Sequence, residues 1–225
     1  MKSSILITAT LFTAGFLLQS CGNENNNSVK TDTDTTMSNM EHKDNMDMKN
    51  MNNEMMESMN GMMTKMDAMK MTGDFDLDFA NMMIMHHQAA IDMSAVELAK
   101  GSDAQIKSWA QNIITAQKAE IGQMQALIKN YKMPEMKKEN SEMHNELGET
   151  MKTMMDKMKA MTMSGNTDKD FLMMMVPHHE SAVTMAEDEI SHGKNYELKK
   201  LAQKIVEDQN KEIKEFNDWL ATHQK

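Results

Sequence analysis

The chain has 225 residues, among them 32 methionines and one cysteine, and a formal net charge of −10 at pH 7. A single cysteine excludes a disulfide-stabilised scaffold, and an aromatic content of 4% leaves the fold to be held by aliphatic and methionine packing. The negative charge makes nucleic acid an unfavourable partner and a cation a natural one.

Residues 1–20 have the pattern of an export signal. Lys2 supplies a positive start, and Ile5–Leu18 is an apolar run too short to span a bilayer comfortably. Residues 18–21 (Leu-Gln-Ser-Cys) resemble the lipobox of bacterial lipoproteins, in which the cysteine is lipidated and becomes the first mature residue. We therefore expect a lipid anchor on Cys21 in the cell envelope, facing the periplasm or the cell exterior. An uncleaved signal anchor and a soluble secreted protein are the alternatives.

A polar tract and a methionine-rich segment follow. Residues 21–45 offer almost nothing apolar to bury, which predicts a disordered linker after the lipidated cysteine. From Met46 the methionines recur every three or four residues, the spacing of one helix face. Because Met37–Met71 contains no Leu, Ile, Val or Phe, this face consists of thioether groups. Its candidate weak metal-binding residues are Met51, Met55, Met59, Met62, Met66 and Met69.

An internal duplication organises the rest of the chain. Residues 51–128 align without a gap on residues 143–220, which predicts two copies of one unit at 46–133 and 134–225. The residues shared by the copies are mostly methionine and histidine rather than core aliphatics. In the second copy the candidate weak metal-binding residues are Met143, His144, Met151, Met154, Met158 and Met161.

Two further helices are predicted in each copy. The second begins near Asp76 or Asp168, where acidic residues suit the helix dipole, and ends at Gly101 or Gly193. A capping box starting at Ser102 predicts the start of the third helix. Strand signals are absent. We therefore predict an all-α fold of six helices, in which the two histidine-bearing hairpins form a four-helix antiparallel core and the Met-rich helices are additional.

The second histidine-bearing helix contains a proline that the first lacks. Pro177 lies one residue before His178, and its missing N–H predicts a kink there. Met85 holds the equivalent position in the first copy, so the two halves are expected to bind a ligand unequally.

The residues kept in both copies form a set of soft donors. On an ideal helix Met82, His86 and Met93 lie within about 40° of one another, and His87 lies over Met83. One helix cannot enclose a metal, so the remaining ligands are expected from the second copy or from a Met-rich helix. The predicted metal ligands are Met82, Met83, His86, His87, Met93, Met174, Met175, His178, His179 and Met185.

The donor types indicate the metal. Thioether sulfur is soft and uncharged and imidazole binds copper in either oxidation state, so the set favours copper(I), with silver(I) as a second candidate. Outside the cytoplasm a cysteine pair would oxidise to a disulfide, whereas methionine remains a ligand. The alternative is structural, because methionine is a good helix former and fills cores.

One further pattern is typical of proteins that bind two iron ions. Glu189 and His192 form a Glu-x-x-His pair of the kind used by di-iron bundles. A di-iron centre needs the pair on two helices, and the first copy has Lys100 in place of the histidine. The sequence therefore argues against di-iron.

Two stretches also resemble a known family. Phe79–Met93 (FANMMIMHHQAAIDM) and Phe171–Met185 (FLMMMVPHHESAVTM), with their trailing glycines, resemble the domain of unknown function 305 family. That family is ferritin-like and includes periplasmic copper-binding proteins. The resemblance implies a helical bundle with a role in copper binding and resistance, and its motif falls on the ten residues named above. The family usually has proline before the paired histidines, as at Pro177, and Met85 departs from this.

These observations predict an envelope lipoprotein that binds, sequesters or transfers copper(I), with a metal-transfer protein as a candidate partner and no catalytic turnover. Metal retention by its histidines should weaken around and below a pKa of about 6.5. One alternative is a metal-dependent oxidoreductase such as a copper(I) oxidase, assisted by exposed carboxylates such as Glu97 and Glu189. Another is a protein whose Met-rich helices bind a partner helix without metal.

Overall fold

The computed structural model describes residues 41–129, 131–132 and 141–223. Within these ranges the chain is helical and contains no strand, which confirms the predicted all-α class. The helices are α1 (Glu41–Ala68), α2 (Phe75–Lys100), α3 (Ala104–Lys129), α4 (Ser141–Ala160), α5 (Thr167–His192) and α6 (Tyr196–Thr222).

The two copies pack together through their histidine-bearing helices. Helix α2 packs on α3, α5 packs on α6, and α2 contacts α5 between the two hairpins. The start of α2 meets the end of α5, since Asp76 accepts hydrogen bonds from the backbone of Lys194 and Asn195. Helices α2 and α5 are therefore antiparallel. Helix α1 lies on α2 and α4 lies on α5, so each Met-rich helix covers the histidine-bearing helix of its own copy.

The limits of the histidine-bearing helices follow from local sequence. Asp74 caps α2 by accepting a hydrogen bond from Leu77 N at 3.1 Å, and Asn166 caps α5 in the same way. Gly101 and Gly193 end these helices, as predicted. Helix α5 is continuous through Pro177, and the kink there stays a prediction.

The predicted cap of α3 was wrong. Asp103, not Ser102, caps this helix: its carboxylate accepts hydrogen bonds from Gln105 N at 2.8 Å and Ile106 N at 3.1 Å. The Ser102 hydroxyl instead donates to Asp168 of the other copy at 2.7 Å. The Ser102 side chain is thus bonded to Asp168 in the other copy, and the next residue, Asp103, caps the helix.

Methionine supplies much of the core. Met59 on α1 and Met151 on α4 are at most 1% exposed, and Met69 and Met161 at the ends of the two stripes are partly buried. The Met-rich stripes are therefore packing surfaces in this fold, and metal binding by them stays a prediction. The other fully described stripe residues, Met55, Met62, Met66, Met154 and Met158, are also buried.

Several predicted features lie outside the described residues: the signal at 1–20, the lipidated Cys21, the linker up to residue 40, and the side chains of Met51, Met143 and His144. Helix α1 begins at Glu41, earlier than the Met46 expected from the methionine spacing. Among the described helices, none combines the length and the apolar character needed to cross a bilayer.

Candidate metal centre

The first histidines of the two copies meet between α2 and α5. His86 and His178 are both 0% exposed, and their ring centroids lie 3.7 Å apart with the planes inclined by 37°. His87 and His179 follow on the same helices, with ring centroids 6.4 Å and 6.2 Å from those of His86 and His178. The fold thus brings His86 and His178 together, whereas His87 and His179 are buried beside them and contact Glu120 on α3 and Glu212 on α6.

Burial keeps the facing rings neutral. It lowers the pKa of His86 and of His178 well below 6.5, and the neighbouring histidines lower both pKa values further. Two uncharged imidazoles can lie this close, whereas two imidazolium ions would repel each other. Their nitrogen lone pairs therefore stay available below pH 6.5, and metal retention should persist to more acidic pH than the ordinary histidine pKa suggested.

A serine on α5 orients one of the rings. Ser181 Oγ lies 2.8 Å from His86 Nε2 and 2.7 Å from the carbonyl oxygen of His178, which accepts the hydroxyl proton. The serine oxygen then accepts the Nε2 proton of His86, which leaves His86 Nδ1 with a free lone pair. The first copy has Ala89 at the equivalent position, and neither ring nitrogen of His178 has a hydrogen-bond partner within the described part of the chain. The surroundings of His86 and His178 therefore differ because Ser181 in one copy corresponds to Ala89 in the other. This difference is separate from the one expected from Pro177.

A buried carboxylate supports the second histidine of the first copy. Glu120 Oε2 lies 3.0 Å from His87 Nε2, and Lys204 Nζ donates to Glu120 Oε1 at 3.0 Å. Burial acts to raise the pKa of Glu120, but the hydrogen bonds from His87 and Lys204 outweigh it and lower the pKa. Glu120 is thus an anion that accepts the Nε2 proton of His87 and leaves Nδ1 free as a donor atom.

The second copy repeats this support. His179 Nε2 lies 2.8 Å from Glu212 Oε2, at the same sequence separation as in the first copy. A carboxylate on the far nitrogen of an imidazole fixes its tautomer and raises its basicity toward a metal. Glu120 and Glu212 were not among the residues predicted from the sequence, although they occupy equivalent positions in the two copies.

The predicted methionine ligands lie on the histidine-bearing helices α2 and α5, within the apolar core. Met82 is 4% exposed, and the other five are fully buried in the same apolar cluster: Met83, Met93, Met174, Met175 and Met185. Metal ligation by these six methionines and by the four histidines stays a prediction.

The residues present fit a soft cation. Nδ1 of each of the four histidines is buried and has no hydrogen-bond partner among the described residues. Leaving a buried polar atom unpaired costs about 1–3 kcal/mol, so partners are expected for these nitrogens. Imidazole nitrogens within a thioether-rich core are the donor set that copper(I) and silver(I) prefer.

A groove between α4 and α5 leads from the surface towards this centre. It has a volume of about 290 Å³ and is lined by Lys157, Pro177, Met154 and Ser181, among others. Ser181 Oγ lies 3.0 Å from Met154 Sδ and hydrogen-bonds His86 on its other side. Ser181 thus contacts both His86 and Met154 and also lines the groove.

The two glutamates considered as exposed carboxylates are buried, which corrects that expectation. Glu97 and Glu189 are both 0% exposed. Burial, followed by a hydrogen bond with Asp168, raises the pKa of Glu97 to about 8. Burial, followed by the charge of Asp76, raises the pKa of Glu189 to about 9. At neutral pH both are protonated, and their carboxyl groups lie in the protein interior near these aspartates rather than at an exposed reaction site.

This arrangement predicts a loss of stability at alkaline pH. The folded pKa values of Glu97 and Glu189 exceed the ordinary 4.5, so their stabilisation is fully present below pH 4.5 and is lost as pH rises towards about 8 and 9. His86 and His178 act with the opposite sign, but only below 6.5. Above that pH the glutamates dominate, each contributing a slope of at most about 1.4 kcal/mol per pH unit.

The measurement is urea unfolding between about pH 6.5 and 9 for the metal-free protein. We expect the free energy of unfolding to fall across this window, and the double variant Glu97→Gln/Glu189→Gln to flatten the curve because an amide cannot lose the proton. Glu207→Gln, at an exposed position, is the matched control. Equal slopes for the double variant and the wild type would contradict the assignment.

The fold and site define a class: an all-α bundle made of two copies, with a buried histidine and methionine centre between them. The chain belongs to the domain of unknown function (DUF305) family, whose model matches residues 18–128 and 76–220. No curated protein sequence is significantly similar to it.

Solved structures show the same fold. The silver-bound form of CopM, obtained by soaking, is 30% identical and covers 70% of this chain and 100% of its own, with a TM-score of 0.51. A putative secreted DUF305 protein from Streptomyces coelicolor is 25% identical and covers 68% of this chain and 94% of its own, with a TM-score of 0.53. A DUF305 fragment from Deinococcus radiodurans, 24% identical with 66% and 96% coverage and a TM-score of 0.50, agrees in fold.

Proposed function

We propose that this protein binds copper(I), and silver(I) as its chemical analogue, at the buried histidine and methionine centre. The observation behind the proposal is the pair formed by His86 and His178, whose rings lie 3.7 Å apart with unpartnered Nδ1 atoms inside a methionine-rich core. The similar protein CopM, solved in a silver-bound form, supports the same class of ion.

The charges around the centre favour a monovalent ion. Moving a cation into a protein interior is costly, and the cost rises with its charge. The neutral donors add no charge, while Glu120 and Glu212 lie beyond the rings of His87 and His179. These carboxylates compensate a positive charge through the imidazoles without contacting it themselves. A soft +1 ion suits this environment better than magnesium, calcium or manganese.

The proposed setting is the cell envelope. The Leu-Gln-Ser-Cys sequence at residues 18–21 and the polar tract after it support a lipid anchor on Cys21 outside the cytoplasm. There the protein would sequester copper or hand it to a metal-transfer protein, and thereby contribute to metal resistance or homeostasis. Methionine and histidine suit that compartment because a thiol site would be lost to disulfide formation.

The decisive experiment separates metal binding from packing. We expect the metal-free protein to withdraw copper(I) from a chromogenic chelator under anaerobic conditions. Leucine has nearly the volume of methionine but no sulfur. Removing a residue that only hydrogen-bonds a metal ligand already lowers metal affinity about 10–100-fold. Removing several thioether ligands should therefore lower copper(I) affinity by at least about 100-fold. The test variant carries leucine at Met82, Met93, Met174 and Met185.

The matched control is Met124→Leu, because Met124 is fully buried on α3 but is not a predicted ligand. It should bind copper(I) like the wild type. Replacing His86, His87, His178 and His179 by alanine should abolish the tight site. If the wild type did not compete with the chelator, the proposal that it binds copper(I) would be wrong. If the four-leucine variant kept the wild-type affinity, the four methionines would not be ligands.

A further inference from the structure

A second cluster of possible ligands lies where α4 meets the end of α5. It consists of Glu146 on α4 and of Asp188 and His192, one turn apart on α5. Each residue offers a ligand atom within 4.8 Å of the others, and His192 Nε2 lies 3.9 Å from Glu146 Oε2. The His192 side chain is 40% exposed and that of Glu146 55%, so the cluster is open to solvent, unlike the buried centre.

The equivalent position in the first copy holds a lysine–glutamate pair. The counterparts of Glu146 and His192 are Glu54 and Lys100, and there Lys100 Nζ donates to Glu54 at 2.7 Å. A lysine ammonium thus neutralises the glutamate in the first copy. In the second copy histidine replaces the lysine, and Asp188 adds a carboxylate where the first copy has Val96. Compared with the first copy, this position lacks the lysine ammonium group and has two additional metal-donor groups, from Asp188 and His192.

The local electrostatics favour an external cation. Asp188 and Glu146 offer carboxylate oxygens within 4.8 Å of each other, so two acidic groups share one small volume. The His192 ring also packs edge-on against Phe75, with centroids 5.8 Å apart at 67°, which restricts its orientation. Two carboxylates and an oriented imidazole therefore converge without the ammonium group that balances the first copy.

We propose that Glu146, Asp188 and His192 bind a borderline divalent cation of the zinc(II) and copper(II) class. Two carboxylate oxygens and one imidazole nitrogen match the preferences of such ions, and water can complete the coordination because the cluster is exposed. Copper(I) and silver(I) prefer softer donors. The site thus differs from the buried centre in position and chemistry, and it does not depend on the proposed copper(I) function.

The test uses zinc(II) alone on the mature chain, with bound metal counted by equilibrium dialysis and calorimetry. His192→Lys reproduces the lysine–glutamate pair of the first copy and leaves no unpaired carboxylate at Glu146. We expect this variant to bind one zinc(II) fewer than the wild type and the same amount of silver(I). His223→Ala, at an exposed histidine near the C-terminus, should retain the wild-type zinc(II) count.

A gain-of-site variant makes the test stringent. Val96→Asp/Lys100→His installs the second copy's donors beside Glu54 and is expected to add one zinc(II) per chain. In wild-type protein, the ring resonances of His192 should shift on zinc(II) addition and not on silver(I) addition.

Three results would overturn the proposal: no zinc(II) binding by the wild type, an unchanged zinc(II) count in the His192→Lys variant, or an equal loss of silver(I) from that variant. The last result would assign the lost zinc(II) to the buried centre. Failure of the gain variant to bind an additional ion would show that these three side chains do not suffice. Circular dichroism melting should confirm that each variant is folded.

Discussion

Replacing Asp168 by alanine is expected to lower the free energy of unfolding by about 2–4 kcal/mol, since it removes three hydrogen bonds to a charged carboxylate. Asp168 Oδ1 accepts the backbone N–H of Ser102 at 2.9 Å and of Asp103 at 2.8 Å, and Oδ2 accepts the Ser102 hydroxyl at 2.7 Å. All three donors belong to the turn between α2 and α3 of the other copy. The substitution therefore removes a contact between copies rather than a local cap.

The electrostatics of this carboxylate support the size of the effect. Burial acts to raise the pKa of Asp168, but the hydrogen bonds from Asp103, Ser102 and Glu97 outweigh it and hold the pKa below its ordinary value. The ionised form is thus stabilised by the fold. Asp76 repeats the arrangement in the opposite direction, accepting hydrogen bonds from Lys194 N at 2.8 Å and Asn195 N at 2.7 Å.

The effect of Asp168→Ala is measured by urea unfolding at neutral pH, with Asp92→Ala as the control. Asp92 is also on a histidine-bearing helix, but it is exposed, and its side chain accepts a hydrogen bond from Gln88 one turn earlier. A surface substitution of this kind usually changes stability by less than about 0.5 kcal/mol. If Asp168→Ala changed stability as little as Asp92→Ala, the reciprocal contacts between copies would have no energetic importance.

The second large effect concerns a glycine. Gly101→Ala is expected to destabilise the protein by about 1–3 kcal/mol, the usual cost of overpacking. A Cβ atom at this position would overlap Oε1 of the buried Glu97 side chain and would lie 2.7 Å from the Glu97 carbonyl oxygen. The backbone there is ordinary, with φ at −64°, so glycine is required by the close packing of Glu97 rather than by a left-handed conformation.

Gly122→Ala provides the opposite outcome in the same protein. Gly122 lies within α3, and an added Cβ would meet nothing within 4 Å. Alanine is favoured over glycine in a helix by about 1 kcal/mol, so this variant should be more stable than the wild type. Thermal melts of both variants provide the comparison. A stabilising Gly101→Ala would mean that the Glu97 carboxyl does not occupy the space above the glycine.

These contacts connect the fold to the candidate centre. Asp76 and Asp168 each join the start of one histidine-bearing helix to the turn after the other, and so they fix α2 antiparallel to α5. That register places His86 opposite His178. The facing rings therefore lie at the boundary between the two predicted copies, since α2 supplies His86 and α5 supplies His178.

The sequence by itself determined the local features. Helical periodicity, acidic residues in the first turn and glycine after the last turn placed the limits of α2 and α5 to within a few residues, because such signals act within one or two turns. Aligning the two copies identified the histidine pairs and the methionines, and hence the donor chemistry. A local signal also misled: Ser102 has the pattern of a cap but bonds to Asp168.

Only the tertiary structure decided which groups meet. His86 contacts Ser181 across a separation of 95 residues, His87 contacts Glu120 across 33, and Asp168 caps a turn 66 residues away. Periodicity records which face of a helix is apolar, but it holds no information on the distance between two faces after packing. Burial arises from that packing as well, so the neutral histidines and protonated glutamates could not be derived from residue types alone.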